Sequence, residues 1–279
     1  MSTTYPPDRH LLRDLRLRFE HDDAPGDRTS RAWLPVVPEL FANDGAVRAG
    51  ALAILVDVIG GGLAATVAHP DWIATADLTL HLVGAATGGS IEARARVAHA
   101  GRTTVVIEVE LSDDALREIG IATMSFAVLP RRDDNPDVST AMTSGPATMA
   151  RADSRLDASL LDELDISVID GPRGELEAPI GEWSRNSLGA MQGGAVATIV
   201  DAAAAAASSA AAGREVVVTD LQLTYLALAR VGPLRTRVEV LGARPDTVTT
   251  RVELVDAGAG SRVTSIARVV ATPSLRDRT

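Results

Sequence analysis

The chain contains no cysteine, which excludes disulfides, thiolate metal sites and a cysteine nucleophile, and agrees with a reducing compartment. Aromatic side chains make up only 3% of it, so the core has to be built from alanine, valine, leucine and isoleucine. Its 27 basic residues are outnumbered by 37 acidic ones, and a net charge of −10 argues against a nucleic-acid surface, which needs a basic face. A local arginine cluster can still hold an anionic ligand against that background. The first ten residues, Met1 to His10, show no basic segment leading into an apolar one. No signal peptide is therefore expected, and the expected location is cytoplasmic. There is no Gly-x-Ser-x-Gly elbow, which disfavours a serine hydrolase. The five histidines, His10, His21, His69, His81 and His99, lack ligand spacing, so no metal or other cofactor is expected.

What the chain does contain is the same passage twice, about 144 residues apart. The first copy runs from Asn43 through Arg48-Ala49 into an apolar stretch holding Asp57. The second runs from Asn186 through Gln192-Gly193-Gly194 into an apolar stretch holding Asp201. Each carboxylate is followed 18 positions later by a threonine, Thr75 or Thr219, at the opening of an alternating segment. Repetition at this length implies duplication, and 279 residues accommodate two domains. The expected boundaries are 1–130 and 153–279, joined by a linker over 131–152 that carries no periodicity.

Residues 48–68 and 192–212 read as helices apolar on every side. Their length raises a membrane span, but a central aspartate opposes insertion, and burial inside protein is the better reading. Period-two alternation, rich in valine, isoleucine and threonine, marks strands near 74–84, 89–99, 103–112 and 118–129. Matching strands fall near 215–227, 233–243, 247–256 and 261–272, and shorter extended runs precede each helix at 15–20, 30–35, 164–169 and 175–179. A sheet with one apolar face must cover it, and the long helix is the element available. The expected fold is α+β: a double hotdog, two antiparallel sheets each wrapped round a central helix, with halves related by a pseudo-two-fold axis. Gly60-Gly61-Gly62 suits close helix–sheet packing rather than a phosphate loop, whose final glycine is missing at Ala65.

A lone aspartate in a helix most often caps a backbone group or pairs with an arginine. Finding it twice, with the same downstream threonine, favours a functional role. Paired glycines at a helix start let a ligand approach free N–H groups at the positive end of the helix dipole, a donor suited to an oxyanion. Asp201 lies eight residues beyond Gly193, about 12 Å along the same helix, too far to act on the same carbonyl. Asp57, arriving from the other half, is the expected partner. The cross-matched sets are Asn186, Gln192 and Gly193 with Asp57 and Thr75, and Asn43, Arg48 and Ala49 with Asp201 and Thr219. A buried carboxylate beside a hydroxyl can hold and activate a water, or attack directly.

The run Asn186-x6-Gly193-Gly194-x6-Asp201 with Thr219 beyond resembles the hotdog-fold acyl-CoA thioesterases of the phenylacetate-degradation (PaaI-like) type. Gly101-Arg102 and the Asp-Leu-x-Leu-x-Tyr strand ending at Tyr225 are also similar to that family, and the resemblance covers about 40–130 and 180–272. It implies that the asparagine and a helix-start N–H polarise a thioester carbonyl, while a carboxylate and a hydroxyl from the partnering half handle the water. It also implies an acyl-CoA substrate, with Gly194 beside the site and Arg102 and Arg244, at equivalent turns, as candidates for the CoA phosphates. Two departures stand out: Gln192 replaces the family's histidine, and the first half offers Arg48-Ala49, with its asparagine displaced by one place to Asn43. One intact and one altered composite site are expected, in a chain that forms homo-oligomers. The alternatives are a non-catalytic acyl-CoA-binding or sensing protein and a hotdog hydratase. The second needs a histidine five residues after the helix aspartate, where this chain has Gly62 and Ala206.

Overall fold

The structure, a computed structural model, describes residues 5–21, 29–131 and 145–274. The first half runs α1 (Leu11–Asp14), β1 (Arg18–His21), β2 (Thr29–Pro35), α2 (Ala49–Ala68), β3 (Trp72–Leu82), β4 (Ser90–Ala100), β5 (Thr104–Asp113), β6 (Glu118–Leu129) and β7 (Gly145–Thr148). The second runs α3 (Leu160–Glu163), β8 (Ser167–Asp170), β9 (Glu175–Ala178), α4 (Gly193–Ala212), β10 (Val217–Tyr225), β11 (Leu234–Arg244), β12 (Thr247–Asp256) and β13 (Arg262–Thr272). The eight long strands fall within two residues of the ends expected from alternation. The short helices α1 and α3 were not anticipated, since four residues are too few to show a period.

The expectation of two separate sheets is corrected: the strands form a single antiparallel sheet of 13, in the order β7-β1-β2-β4-β5-β6-β3-β10-β13-β12-β11-β9-β8. The reason lies at its centre. Each half alone would leave β3 or β10 as an edge of unpaired amides, and these equivalent strands pair with each other. Leu80 meets Leu221 and Leu78 meets Leu223 across that seam, all buried. Strand order then repeats outward on either side. The exception is β7, which comes from the end of the expected linker and pairs with β1 from Arg18↔Thr148 to His21↔Gly145. Residues 132–144 of the linker lie outside the described ones.

Both α2 and α4 pack against the sheet and against each other. Neither helix has a polar face, so both must be covered all round. By length and composition each could span a bilayer; here the sheet and the other helix bury most of both. Glycine sets how close they come. A Cβ on Gly50 would lie 2.6 Å from the Thr198 Cα, and one on Gly194 would lie 2.4 Å from the Ile54 Cα. These two contacts are equivalent under the repeat, so the helices cross about the pseudo-two-fold axis, as expected. The triple glycine is packing too: a Cβ on Gly60 would touch Met124 Sδ at 3.0 Å.

Where backbone faces backbone, a methyl group has to push the helices apart. Gly194→Ala should therefore cost about 1–3 kcal/mol, the usual range for overpacking a filled core. Chemical denaturation should show a lower midpoint with unchanged slope, and an unaltered midpoint would contradict the crossing.

Candidate active site

Asp57 sits near the middle of α2, with 7% of its surface exposed. It meets the start of the helix from the other half. Its Oδ2 accepts from Gln192 Nε2 at 2.5 Å and from the Gly194 N–H at 3.1 Å, and its Oδ1 accepts from Thr75 Oγ1 at 3.1 Å. The Gln192 amide works in both directions, because its Oε1 accepts from the Ala195 N–H at 2.9 Å and caps α4. Of the first three N–H groups of α4, Gly194's is thus taken by Asp57 and Ala195's by Gln192. No described group accepts from the Gly193 N–H. Gly193 needs to be glycine, since a Cβ there would lie 2.9 Å from both Asp57 oxygens.

Asn186 shapes the entry. Its Oδ1 accepts from Leu188 N at 2.9 Å and Ala190 N at 3.1 Å, fixing the turn through Gly189, whose φ is +73°. Asn186 also lines the cavity, and no described group accepts from its Nδ2 amine. Burial pushes the Asp57 carboxyl up from its usual value to about 6, against the opposing pull of the Thr75, Gly194 and Gln192 donors. It is therefore mostly ionised at neutral pH yet basic enough to take a proton.

These groups open onto a cavity of about 520 Å³. Its walls are mainly apolar, with Phe19, Trp72, Phe126, Tyr5 and Tyr225 among them, so five of the chain's eight aromatic residues gather at one cavity. Tyr225 ends the strand already marked by its Asp-Leu-x-Leu-x-Tyr pattern, but its hydroxyl's partner could not be read there. It donates to the Gly193 carbonyl at 2.8 Å. Tyr5 and Leu12, from a segment with no readable signal, also line the cavity.

The reciprocal site is built differently. Arg48 Nε donates to Asp201 Oδ2 at 2.7 Å, joined by the Gly50 N–H at 3.2 Å, with both side chains buried. The expected pairing of Thr219 with Asp201 is absent. Thr219 Oγ1 instead faces Asp220 Oδ2 at 3.2 Å and the Val270 carbonyl at 3.4 Å, and Asp201 has the guanidinium for a partner. The expected role of Asn43 is also corrected. The turn bonds from Ala42 through Gly45 repeat those from Asn186 through Gly189, so Ala42 holds the place of Asn186. Asn43 points elsewhere and donates to Glu215 at 2.7 Å. Arg48, Ala49, Asp201 and Asn43 line a second cavity of about 590 Å³. Arg102 and Arg244 lie exposed at the β4–β5 and β11–β12 turns and line neither cavity. Among the described residues there is no cluster of three or more metal-ligating side chains.

A family model, the thioesterase superfamily, matches residues 44–119 and 188–263, more than half of the chain. The chain belongs to the thioesterase superfamily. The two matches start 144 residues apart and end 144 apart, in the register of the internal repeat. Similar solved structures include an acyl-ACP thioesterase from Bacteroides thetaiotaomicron, 14% identical, covering 88% of this chain and 98% of that one with a TM-score of 0.59. Another is a TesB protein from Mycobacterium avium subspecies paratuberculosis, 12% identical, covering 87% and 92% with a TM-score of 0.60. At these identities they show the fold, a hotdog repeated twice. No curated protein matches the sequence.

A carboxyl raised by burial makes stability depend on pH with a definite sign. Asp57's contribution is fully present below its unfolded value, near 4, and is lost as pH rises through about 6. Asp57→Asn should therefore gain on the wild type by about 2 kcal/mol in unfolding free energy between pH 4.5 and 7.5. Parallel curves for the two proteins would mean that the Asp57 carboxyl is not raised.

Proposed function

We propose that this protein is a cytoplasmic acyl-CoA thioesterase that uses one of its two composite sites. A single observation carries the reading: in the more apolar cavity, Asp57 and Thr75 of one half stand beside the unclaimed Gly193 N–H and the Asn186 amide of the other. The thioester carbonyl oxygen takes the Gly193 N–H and the Asn186 amine, which stabilise the charge that develops on it. A water held between Asp57 and Thr75 attacks the carbonyl carbon as Asp57 takes its proton. The tetrahedral intermediate collapses, the C–S bond breaks, and the protonated Asp57 returns its proton to the departing sulfur. The products are a carboxylic acid and the CoA thiol. The apolar wall suits the acyl group. Arg102 remains a candidate for the CoA phosphates because its turn abuts the cavity's outer wall: Thr103 O accepts from Val128 N, and Val128 pairs with Ile73.

The Arg48 site does not turn over substrate on this reading. The Arg48 guanidinium occupies the Asp201 carboxylate and fills the space a thioester needs, and no amide stands at Ala42. Unpaired β8, at one end of the sheet with Val168 and Ile169 67% and 62% exposed, supports association of two chains.

Hydrolysis of short, medium, long-chain and aryl acyl-CoAs, followed with a thiol reagent, tests the activity, and the same acyl groups on a carrier protein test the thiol partner. Asp57→Asn should lower turnover at least about 100-fold, as loss of a general base does, and Asp201→Asn far less. Equal losses, or a larger one from Asp201→Asn, would place the working site in the other half.

A further inference from the structure

Tyr225 belongs to the working site in a way that the hydrolysis scheme leaves unused. Its hydroxyl donates to the Gly193 carbonyl at 2.8 Å. That carbonyl and the Gly194 N–H are the two ends of one peptide group, and the N–H donates to Asp57 Oδ2 at 3.1 Å. Hydroxyl, peptide and carboxylate therefore form a continuous hydrogen-bonded chain. A donor on the carbonyl end of an amide draws electron density toward oxygen and makes its N–H a stronger donor.

From this geometry we propose that Tyr225 is a positioning residue for the Asp57 carboxylate, acting through the Gly193–Gly194 peptide to strengthen the hydrogen bond that steadies its charge. The proposal rests on the assignment of Asp57 as the working base. The molecule carries its own comparison. In the first half the place of Tyr225 in the Asp-Leu-x-Leu-x-Tyr pattern is held by Leu82, a buried apolar side chain with no donor to offer. The corresponding peptide, Ala49–Gly50, donates to Asp201 without a side-chain donor on its carbonyl. The polarising hydroxyl thus accompanies the site in which Asp57, Thr75, Gln192 and Gly193 stand together, and is missing from the site closed by Arg48.

Tyr225 can keep this role over a wide pH range. Burial, with the negative charges of Asp57 and Asp77, pushes its hydroxyl well above the usual range, so it stays protonated and donating. The groups facing Asp57 are the donors Thr75 from β3 and Gln192 and Gly194 from α4, with Tyr5 from the N-terminal segment and Tyr225 from β10 as titratable neighbours. Asp71 lies further along the same cavity.

The experiment is a carboxyl-carbon NMR titration of Asp57 and the Gly194 amide shift in wild type and Tyr225→Phe, without substrate, alongside the pH profile of kcat/KM. In the variant the Asp57 midpoint should rise by roughly 0.2–0.6 of a pH unit, the amide proton should move upfield, and the acid limb should follow. Fluorotyrosine at position 225, a stronger donor in an intact fold, should move all three the opposite way. If midpoint and amide stay fixed in both proteins, even with turnover reduced, Tyr225 acts by touching substrate and the proposal fails. The NMR readings need no turnover, so a wild type that hydrolyses no thioester would overturn the proposed function and leave this chain of bonds to be judged separately.

Discussion

The site depends on one contact: the Asp57 carboxylate of one half seated on the first turn of the helix from the other. A buried carboxylate is costly to ionise, and the Gly194 N–H, the Gln192 amide and the Thr75 hydroxyl offset only part of that cost. The remainder appears as a carboxyl raised to about 6. Reaching the helix end requires α2 and α4 to touch along their backbones, so glycine is needed at positions 50 and 194. It also requires the halves to stay in register, which the β3–β10 seam enforces by making one sheet of two. Sheet, crossing and site are consequences of the same two-fold arrangement.

Duplication explains why the two sites differ. Two identical chains about a true two-fold axis would be bound to carry the same residues at both sites, whereas a fused pair is free to let one drift. Here three places differ at once: Ala42 for Asn186, Arg48 for Gln192, and Ala49 for Gly193. The Arg48–Asp201 pair keeps a buried carboxylate satisfied without the water-holding threonine. A charge that must stay buried needs either donors or a counter-ion, and the two halves have taken one solution each.

Much of this was legible in the residues because it follows from fixed lengths and periods. Strand positions came from alternation, and the exchange of Asp57 and Gly193 between halves came from the rise of a helix, which puts Asp201 out of reach of its own Gly193. The edge-to-edge joining of the sheets was not legible, since alternation shows which face a strand buries and not which strand lies beside it. The one-place displacement of Asn43 was visible, but not that Ala42 would hold the turn set by the left-handed Gly45 while Asn43 bonds Glu215. Thr219 looked equivalent to Thr75 in sequence, but it is the residue bulged out of the β10 register, whereas β3 bulges one place later, at Ala76. Tyr225 was visible as the end of a strand, but its contact with the Gly193 carbonyl depends on tertiary packing.

The central claim is that one composite site, made by both halves, receives the thioester carbonyl. The most direct measurement is a crystal structure with a non-hydrolysable acyl-CoA analogue that keeps the carbonyl. The account predicts the analogue in the Asp57 cavity, its carbonyl oxygen about 3 Å from the Gly193 nitrogen and from Asn186 Nδ2. A water on Asp57 and Thr75 should stand about 3–3.5 Å from the carbonyl carbon. An analogue seated instead beside Arg48 and Asp201, or with its carbonyl turned away from Gly193, would contradict it.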